Sequence, residues 1–393
     1  MKNAGKHLHK DHRNIGRPDF ECVALLLQGG GALGAYQAGV YQALNEAGIE
    51  PDWVAGISIG AINATIIAGN APNDRVAKLK QFWHSISNRT FLSPLKEAFR
   101  YVTHGDKARS VFNEFSAGLA LAGGAEGFFT PRFPGPFFES PGSMEATSFY
   151  DTTPLRGTLE GLIDFDRLNH DDIRLSLGTV NVRTGNFTYF DTETDIIRPE
   201  HVMASGALPP GFPAVEIEGQ HYWDGGLVSN TPLQWVLTDS GTQQDTLAFQ
   251  IDLWSARGEF PRHLSDVTER QKEIQFSSRT RYCTNEFKRR HEIQNEISRL
   301  LAKLPPEFAE SPEAKKLAGR IDHHVYNIVH LIYRSKHYEG SSRDYEFSRL
   351  SVEDHWDAGY NDAIHTLRHP EIFDKPDEMS GVKTFDIFSE RPA

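Results

Sequence analysis

Val23-Ala24-Leu25-Leu26-Leu27 is an unbroken apolar run that ends on Gly29-Gly30-Gly31. A strand with one wet face alternates apolar and polar residues. A short continuous run marks a strand covered on both faces, as in a parallel sheet between layers of helices. Leu33, Tyr36, Gln37, Val40, Tyr41 and Leu44 then recur at helical spacing up to Gly48, a residue suited to ending a helix. Strand, glycine turn and helix make half of a βαβ unit. The pattern repeats with a strand over 52–57 and a helix over 58–68, rich in Ala and Ile and closed by Gly69-Asn70. The expected fold class is therefore α/β with a mainly parallel central sheet.

Further along, order weakens between Phe91 and Ser148, where the stretch Phe128 to Phe138 mixes phenylalanines with proline and glycine and reads as a loop. Such a loop either lines an acyl-chain groove or packs its rings on the core. Residues 175–182 and 187–191 flank Arg183-Thr184-Gly185-Asn186 and predict two strands joined by a tight turn. Thr231-Pro232 opens a helical stretch through Leu237, and Thr246 to Leu253 is a further strand. Beyond about Arg257 the chain turns charged and helical, with a long amphipathic helix over 268–304 stopped by Pro305-Pro306, a strand over 323–334 and a helix over 352–367. The expected organisation is a flexible tail over 1–20, a catalytic domain over 21–256 and a mainly helical C-terminal extension over 257–393. That extension is expected to pack on the catalytic domain, although its amphipathic helix also suits a membrane surface or a partner chain.

Composition removes several function classes. A formal net charge of −12 opposes nucleic-acid binding, which needs a basic stripe to displace counterions. No run approaches the about 18 apolar residues of a membrane-spanning helix. The basic stretch from Lys2 to Arg17 before the apolar run imitates a signal peptide, but Asp19 and Glu21 interrupt it. With only Cys22 and Cys283, a disulfide framework is not expected, and the chain reads as cytoplasmic with at most peripheral membrane contact. The tail histidines His7, His9 and His12 read as solvated, and His323, His324, His330 and His337 lack the companions of a zinc motif, so no metal is expected.

The chemistry concentrates in three glycine-flanked sites. Gly56-Ile57-Ser58-Ile59-Gly60 fits G-x-S-x-G, in which a serine occupies a sharp strand-to-helix turn and only glycine fits two residues to either side. The helix onset also aims free N–H groups at the serine oxygen. Gly29 to Gly34 lets several backbone N–H groups converge, as an oxyanion hole requires. The same six residues satisfy the dinucleotide fingerprint G-x-G-x-x-G. A nucleotide binder, however, wants an acid at the end of the second strand, where this chain has its serine, and Asp52 precedes that strand. For a base the 17 histidines are the candidates, of which His221 and His263 lie nearest to Asp224-Gly225-Gly226, a sequence that reads as a strand end with a close backbone passage or simply as a turn.

Taken in order, Gly29 to Gly34, Gly56 to Gly60 and Asp224-Gly225-Gly226 resemble the patatin-like phospholipases, as does the small-residue and proline segment Ala204 to Pro213. The resemblance covers about Val23 to Leu253 and implies a three-layer α/β/α sandwich. By position it implies Ser58 as nucleophile, Asp224 as proton acceptor in place of a histidine, and the Gly29-Gly30-Gly31 backbone as oxyanion hole. Gly34, Gly56, Gly60, Gly225 and Gly226 complete the motifs. The implied reaction is cleavage of lipid carboxylic esters through an acyl-enzyme, with no cofactor. The motifs alone leave room for a small soluble ester or thioester as substrate, and for a binding protein that kept the fold without the chemistry. Oligomeric state is not legible.

Overall fold

The computed structural model describes residues 11–13, 15–87, 123–170, 173–239, 243–335, 343–377 and 381–388. Strand β1 (Cys22–Leu27) is buried along its whole length and leads through the glycines and a 3-10 turn (Gly31–Gly34) into helix α1 (Ala35–Glu46). β2 (Trp53–Ile57) leads into α2 (Ile59–Ala68), followed by α3 (Pro72–Ile86). The two-residue strands β3 (Thr130–Pro131) and β4 (Tyr150–Asp151) pair with each other apart from the main sheet. α4 (Thr153–Leu162) and α5 (Phe165–His170) precede the antiparallel pair β5 (Arg174–Asn181) and β6 (Phe187–Asp191), the hairpin expected from the sequence. α6 (Pro199–Ser205), β7 (Val215–Ile217), β8 (Gln220–Asp224) and β9 (Thr246–Asp252) follow. Next come α7 (Leu264–Leu301), α8 (Pro306–Ala309), α9 (Pro312–Ala318), β10 (Tyr326–Ile332), α10 (Arg349–Leu367) and β11 (Val382–Phe385).

The main sheet runs β11-β10-β9-β1-β2-β5-β8-β7, with β6 also on β5. From β11 to β5 every pairing is parallel. Alternation along β1 divides the core in two. Val23, Leu25 and Leu27 face the side covered by α1, α2, α3 and α10, while Cys22, Ala24 and Leu26 face Leu233, Val236 and Leu237 together with Cys283 and Phe287 of α7. Helices on both faces give the three-layer α/β/α sandwich, with a helical C-terminal region attached. Residues beyond 257 also supply β10 and β11, so the hydrogen-bonded sheet itself crosses that point in the chain.

α10 lies unusually close to α1. A Cβ on Gly39 would strike the Trp356 carbonyl, and one on Gly359 would strike that of Tyr36. Trp356 donates to Gln42 at 2.8 Å, and Tyr360 donates to Glu46 at 2.8 Å. The N-terminal segment is only partly the solvated tail expected. His12 is buried beside Glu46 and Tyr360, and Arg17 grips Asp52 with two 2.8 Å bonds, while His7 and His9 lie outside the described residues. Asp52 also accepts the Val23 N–H at 2.7 Å, which gives that acid a structural task.

The aromatic stretch over 128–138 divides. Phe128 and Phe129 are buried against Phe212 and Phe347, whereas Phe133, Phe137 and Phe138 are exposed. The weakly ordered part expected over 91–122 lies outside the described residues.

A methyl group forced between α1 and α10 overpacks the contact, at a cost of roughly 1–3 kcal/mol. Gly359→Ala is expected to lower the melting temperature by several degrees, whereas Gly157→Ala on α4, where a Cβ meets open space, leaves it unchanged or slightly raised. Thermal unfolding of both variants checks this, and equal stability would contradict the close approach.

Candidate active site

The edge of β5 brings the two principal candidates together. β2 pairs with β5 as far as Ile57 opposite Gly178, and β8 pairs with the next residues, ending at Asp224 opposite Thr179. Because β6 occupies the other edge of β5 over the same residues, β2 and β8 share one edge and meet end to end. The residue after Ile57 therefore lies beside the last residue of β8. Those residues are Ser58 and Asp224.

Ser58 is not the first residue of α2 but the turn before it, with φ 58° and ψ −126°. A positive φ is costly for a residue with a side chain and is held here by its surroundings. The Ser58 N–H donates to the carbonyl and to the hydroxyl oxygen of Ser205, each at 3.1 Å, and the Ser205 hydroxyl donates to the Gly178 carbonyl at 2.7 Å. The glycines of the elbow are required by close approach: a Cβ on Gly56 would strike the Gly60 carbonyl, and one on Gly60 that of Leu27. Gly34 makes room for Ile59 and Trp83, and Gly225 for the Gly178 carbonyl.

Asp224 is 1% exposed. It accepts a hydrogen bond from the Gly226 N–H at 2.7 Å, its own N–H donates to the Ala207 carbonyl at 3.0 Å, and the Ser58 hydroxyl lies beside it. Burial dominates its electrostatics and pushes the carboxyl from 3.8 up to about 7, against the Ser58 hydroxyl and the Gly226 N–H, which favour the ionised form. The outcome is a carboxyl raised towards neutrality beside a serine hydroxyl.

Gly29, Gly30 and Gly31 pass beside this pair, and a Cβ on Gly29 would come within 3.0 Å of the Ser58 Cβ. The Gly29 carbonyl accepts from Asn230 Nδ2 at 2.9 Å and from Trp254 Nε1 at 3.0 Å. Fixing that carbonyl fixes the trans peptide plane, and with it the opposite direction of the Gly30 N–H. The N–H groups of all three glycines donate to no described protein group. Gly31 has φ +56°, and a side chain there would strike the carbonyl of Asp344, which also accepts the Ala32 N–H at 2.8 Å.

A family model for patatin-like phospholipases matches residues 25–236, more than half of the chain. The chain belongs to the patatin-like phospholipase family. A second model, for a patatin phospholipase region, matches residues 274–379 of the C-terminal part. Among curated proteins, this patatin-like phospholipase is 48% identical over 60 residues to lysophospholipase nte1 of Aspergillus terreus. Those residues are 15% of this chain and 4% of the relative, so the match spans a small part of that protein. Among solved structures, VipD from Legionella pneumophila aligns over 99% of this chain and 77% of its own at 14% identity, with a TM-score of 0.40.

Of the histidines weighed as a base, His221 is exposed and sits three residues before Asp224, on the opposite face of β8, and His263 is exposed at the start of α7. Among the described residues no histidine is hydrogen-bonded to Ser58 or Asp224. His324 pairs with Asp322 at 2.8 Å, His330 lies 3.8 Å from Asp252, and His337 is outside the described residues. No group of three or more metal-binding side chains occurs among the described residues. Neither Cys22 nor Cys283 is part of a disulfide.

Sequence reasoning missed the residues that hold the glycine loop. Gln28 is fully buried, and its Oε1 accepts from the backbone of Leu253 at 2.7 Å and of Trp254 at 3.0 Å. Asn230, Trp254 and Asp344 act on the loop from 200 or more residues away. Lys272 on α7 pins the Asp344 carboxylate at 2.9 Å. The one legible hint was a polar residue, Gln28, inside an otherwise apolar and glycine run.

The raised carboxyl has a consequence for stability. The folded protein binds the Asp224 proton more tightly than the unfolded chain does, so ionisation opposes folding. The penalty is absent below about pH 4, grows as pH rises, and is complete above about pH 7. Asp224→Asn removes it. The variant is expected to gain about 2–3 kcal/mol on wild type between pH 5 and pH 8 in urea unfolding, and a gap independent of pH would contradict the raised value.

Proposed function

We propose that this protein is a lipid acyl hydrolase that cleaves carboxylic esters with Ser58 as nucleophile and Asp224 as base. The observation that carries the reading is the strand pairing that sets the Ser58 hydroxyl beside a buried carboxyl pushed up to about 7. A general base works best when its pKa lies near the operating pH, and an ordinary aspartate near 3.9 is too weak for a serine hydroxyl. Burial therefore supplies the basicity that a histidine supplies in a triad.

In the proposed cycle, Asp224 accepts the Ser58 proton as the oxygen attacks the ester carbonyl. The carbonyl oxygen becomes an oxyanion, for which the unengaged N–H groups of Gly29, Gly30 and Gly31 are the available donors. Collapse breaks the bond to the leaving oxygen, which takes the proton back from Asp224 and departs as an alcohol or lysolipid. Water then attacks the acyl-enzyme, Asp224 takes its proton, and the second collapse returns that proton to Ser58 and releases the carboxylic acid. Every proton moves between Asp224 and an oxygen, and the cycle calls on no cofactor.

The substrate class rests on the family, whose members act on lipid esters. No helix among the described residues is long and apolar enough to cross a membrane, so access to an aggregated lipid is assigned to surface contact. In the proposed organisation, residues 21–256 carry the reacting groups and residues 257–393 hold the glycine loop through Asp344.

Hydrolysis of p-nitrophenyl esters of rising chain length, beside phospholipid vesicles, tests the reading. Ser58→Ala is expected to abolish turnover, and Asp224→Asn to lower kcat by on the order of 1000-fold or more. The wild-type kcat/KM should rise as pH increases through about 7. Turnover that survives Ser58→Ala removes the mechanism. A preference for short soluble esters, with vesicles untouched, keeps the mechanism and replaces the substrate class.

A further inference from the structure

The loop over 132–149 is closed at its neck, where the Arg132 N–H donates to the Phe149 carbonyl at 3.0 Å next to the β3–β4 pair. The same neck is bonded to the segment that holds the site: Phe149 N–H donates to the Pro210 carbonyl at 3.1 Å, and Tyr150 N–H to that of Gly211 at 3.0 Å. That segment carries Ser205, which holds Ser58, and Ala207, which holds Asp224. The loop therefore rises from the support of the site itself.

Its tip is apolar and unburied. Phe133 is 100% exposed, Phe137 85% and Phe138 83%, although Phe128 and Phe129 just before the loop are buried in the core. Phe149 is partly exposed at the neck, with its ring 6.1 Å from that of Phe137. Leu208 and Leu227, one residue from Ala207 and three from Asp224, are exposed as well. An exposed apolar patch of this kind signals a contact surface, and its position on the rim of the site says what the contact serves.

We propose that Phe133, Phe137 and Phe138 dock this protein on an uncharged or zwitterionic lipid surface, so that the Ser58 site faces the esters within it. The proposal rests on the hydrolase reading for its purpose but not for the contact. Charge selects the kind of surface. From Thr130 to Phe149 the loop carries Arg132 against Glu139 and Glu145, and the whole chain has a formal net charge of −12. The cluster of lysines and arginines that draws proteins to anionic lipid is missing from this tip, so ring burial is the driving term. Proline and glycine at 134, 135 and 136 and the 3-10 turn at Pro136–Phe138 present the rings outside any α-helix.

The test separates binding from chemistry. Vesicles of phosphatidylcholine, and vesicles containing phosphatidylglycerol, are floated with Ser58→Ala protein and with Ser58→Ala carrying Phe133→Ser, Phe137→Ser and Phe138→Ser. The loop substitutions are also placed alone in the active protein and assayed on p-nitrophenyl butyrate and on vesicles. Ser58→Ala is expected to float with phosphatidylcholine independently of salt. The loop substitutions should weaken flotation by about tenfold or more per ring, leave butyrate turnover unchanged and abolish vesicle hydrolysis. Flotation unaffected by the loop substitutions overturns the proposal, as does binding that requires phosphatidylglycerol and fades with salt. A dimer that becomes a monomer on loop substitution, with flotation unchanged, overturns it in favour of a contact between copies. Wild type that hydrolyses no ester yet floats through its loop would sink the hydrolase reading and sustain the lipid contact.

Discussion

One edge of β5 carries two partners in succession, and the rest of the site depends on that arrangement. β2 runs parallel to it as far as Ile57, and β8 arrives antiparallel and stops at Asp224 on the next residue. Neither strand can extend without displacing the other. Ser58 is consequently turned out of the sheet into a positive-φ elbow, and Asp224 is left at a strand end with its carboxyl enclosed. Enclosure raises the carboxyl to about 7, and adjacency gives it a serine hydroxyl as partner. Position and basicity thus share one cause in the strand pairing. The glycines at 56, 60 and 225 matter because backbones pass there too closely for a side chain.

A second dependence runs from the C-terminal region to the glycine loop. Asp344 fills the space a side chain at Gly31 would need, accepts the Ala32 N–H, and is itself held by Lys272 from α7. Phe276, also on α7, accepts from Gln28 through its carbonyl at 3.2 Å. α10 closes on α1 with backbone-to-backbone contact at Gly39 and Gly359. Since α1 begins where the glycine loop ends, these contacts hold the loop from two sides. The C-terminal region is thereby coupled to the position of the Gly29-Gly30-Gly31 backbone.

Much of this was legible in local sequence, and the physical reasons differ by element. The β1 run, the two strand-turn-helix units and the hairpin around Gly185 rest on periodicity and turn chemistry, which act over a few residues. Ser58 and its glycines were legible because an elbow imposes its demands on five consecutive positions. Asp224 could be named from its glycines through the family resemblance, but its burial could not, because the groups enclosing it come from β2, β5 and the 205–212 segment. Asn230, Trp254, Lys272 and Asp344 bear no local mark, since each acts on a loop more than 200 residues away. The aromatic stretch was left open between two readings for a different reason. Phe128 and Phe129 and the three rings that follow are alike in composition, and only tertiary packing sends two of them inward.

In the proposed mechanism, burial makes Asp224 the base for Ser58. The most direct measurement is the rate of covalent labelling by a small fluorophosphonate as a function of pH, with the modified residue located by mass spectrometry. A single adduct on Ser58 is expected, at a rate that rises with pH to a plateau with a midpoint near 7, with a slow, pH-independent reaction in Asp224→Asn. Labelling of another residue, or an Asp224→Asn protein that keeps the wild-type rate and midpoint, would contradict it.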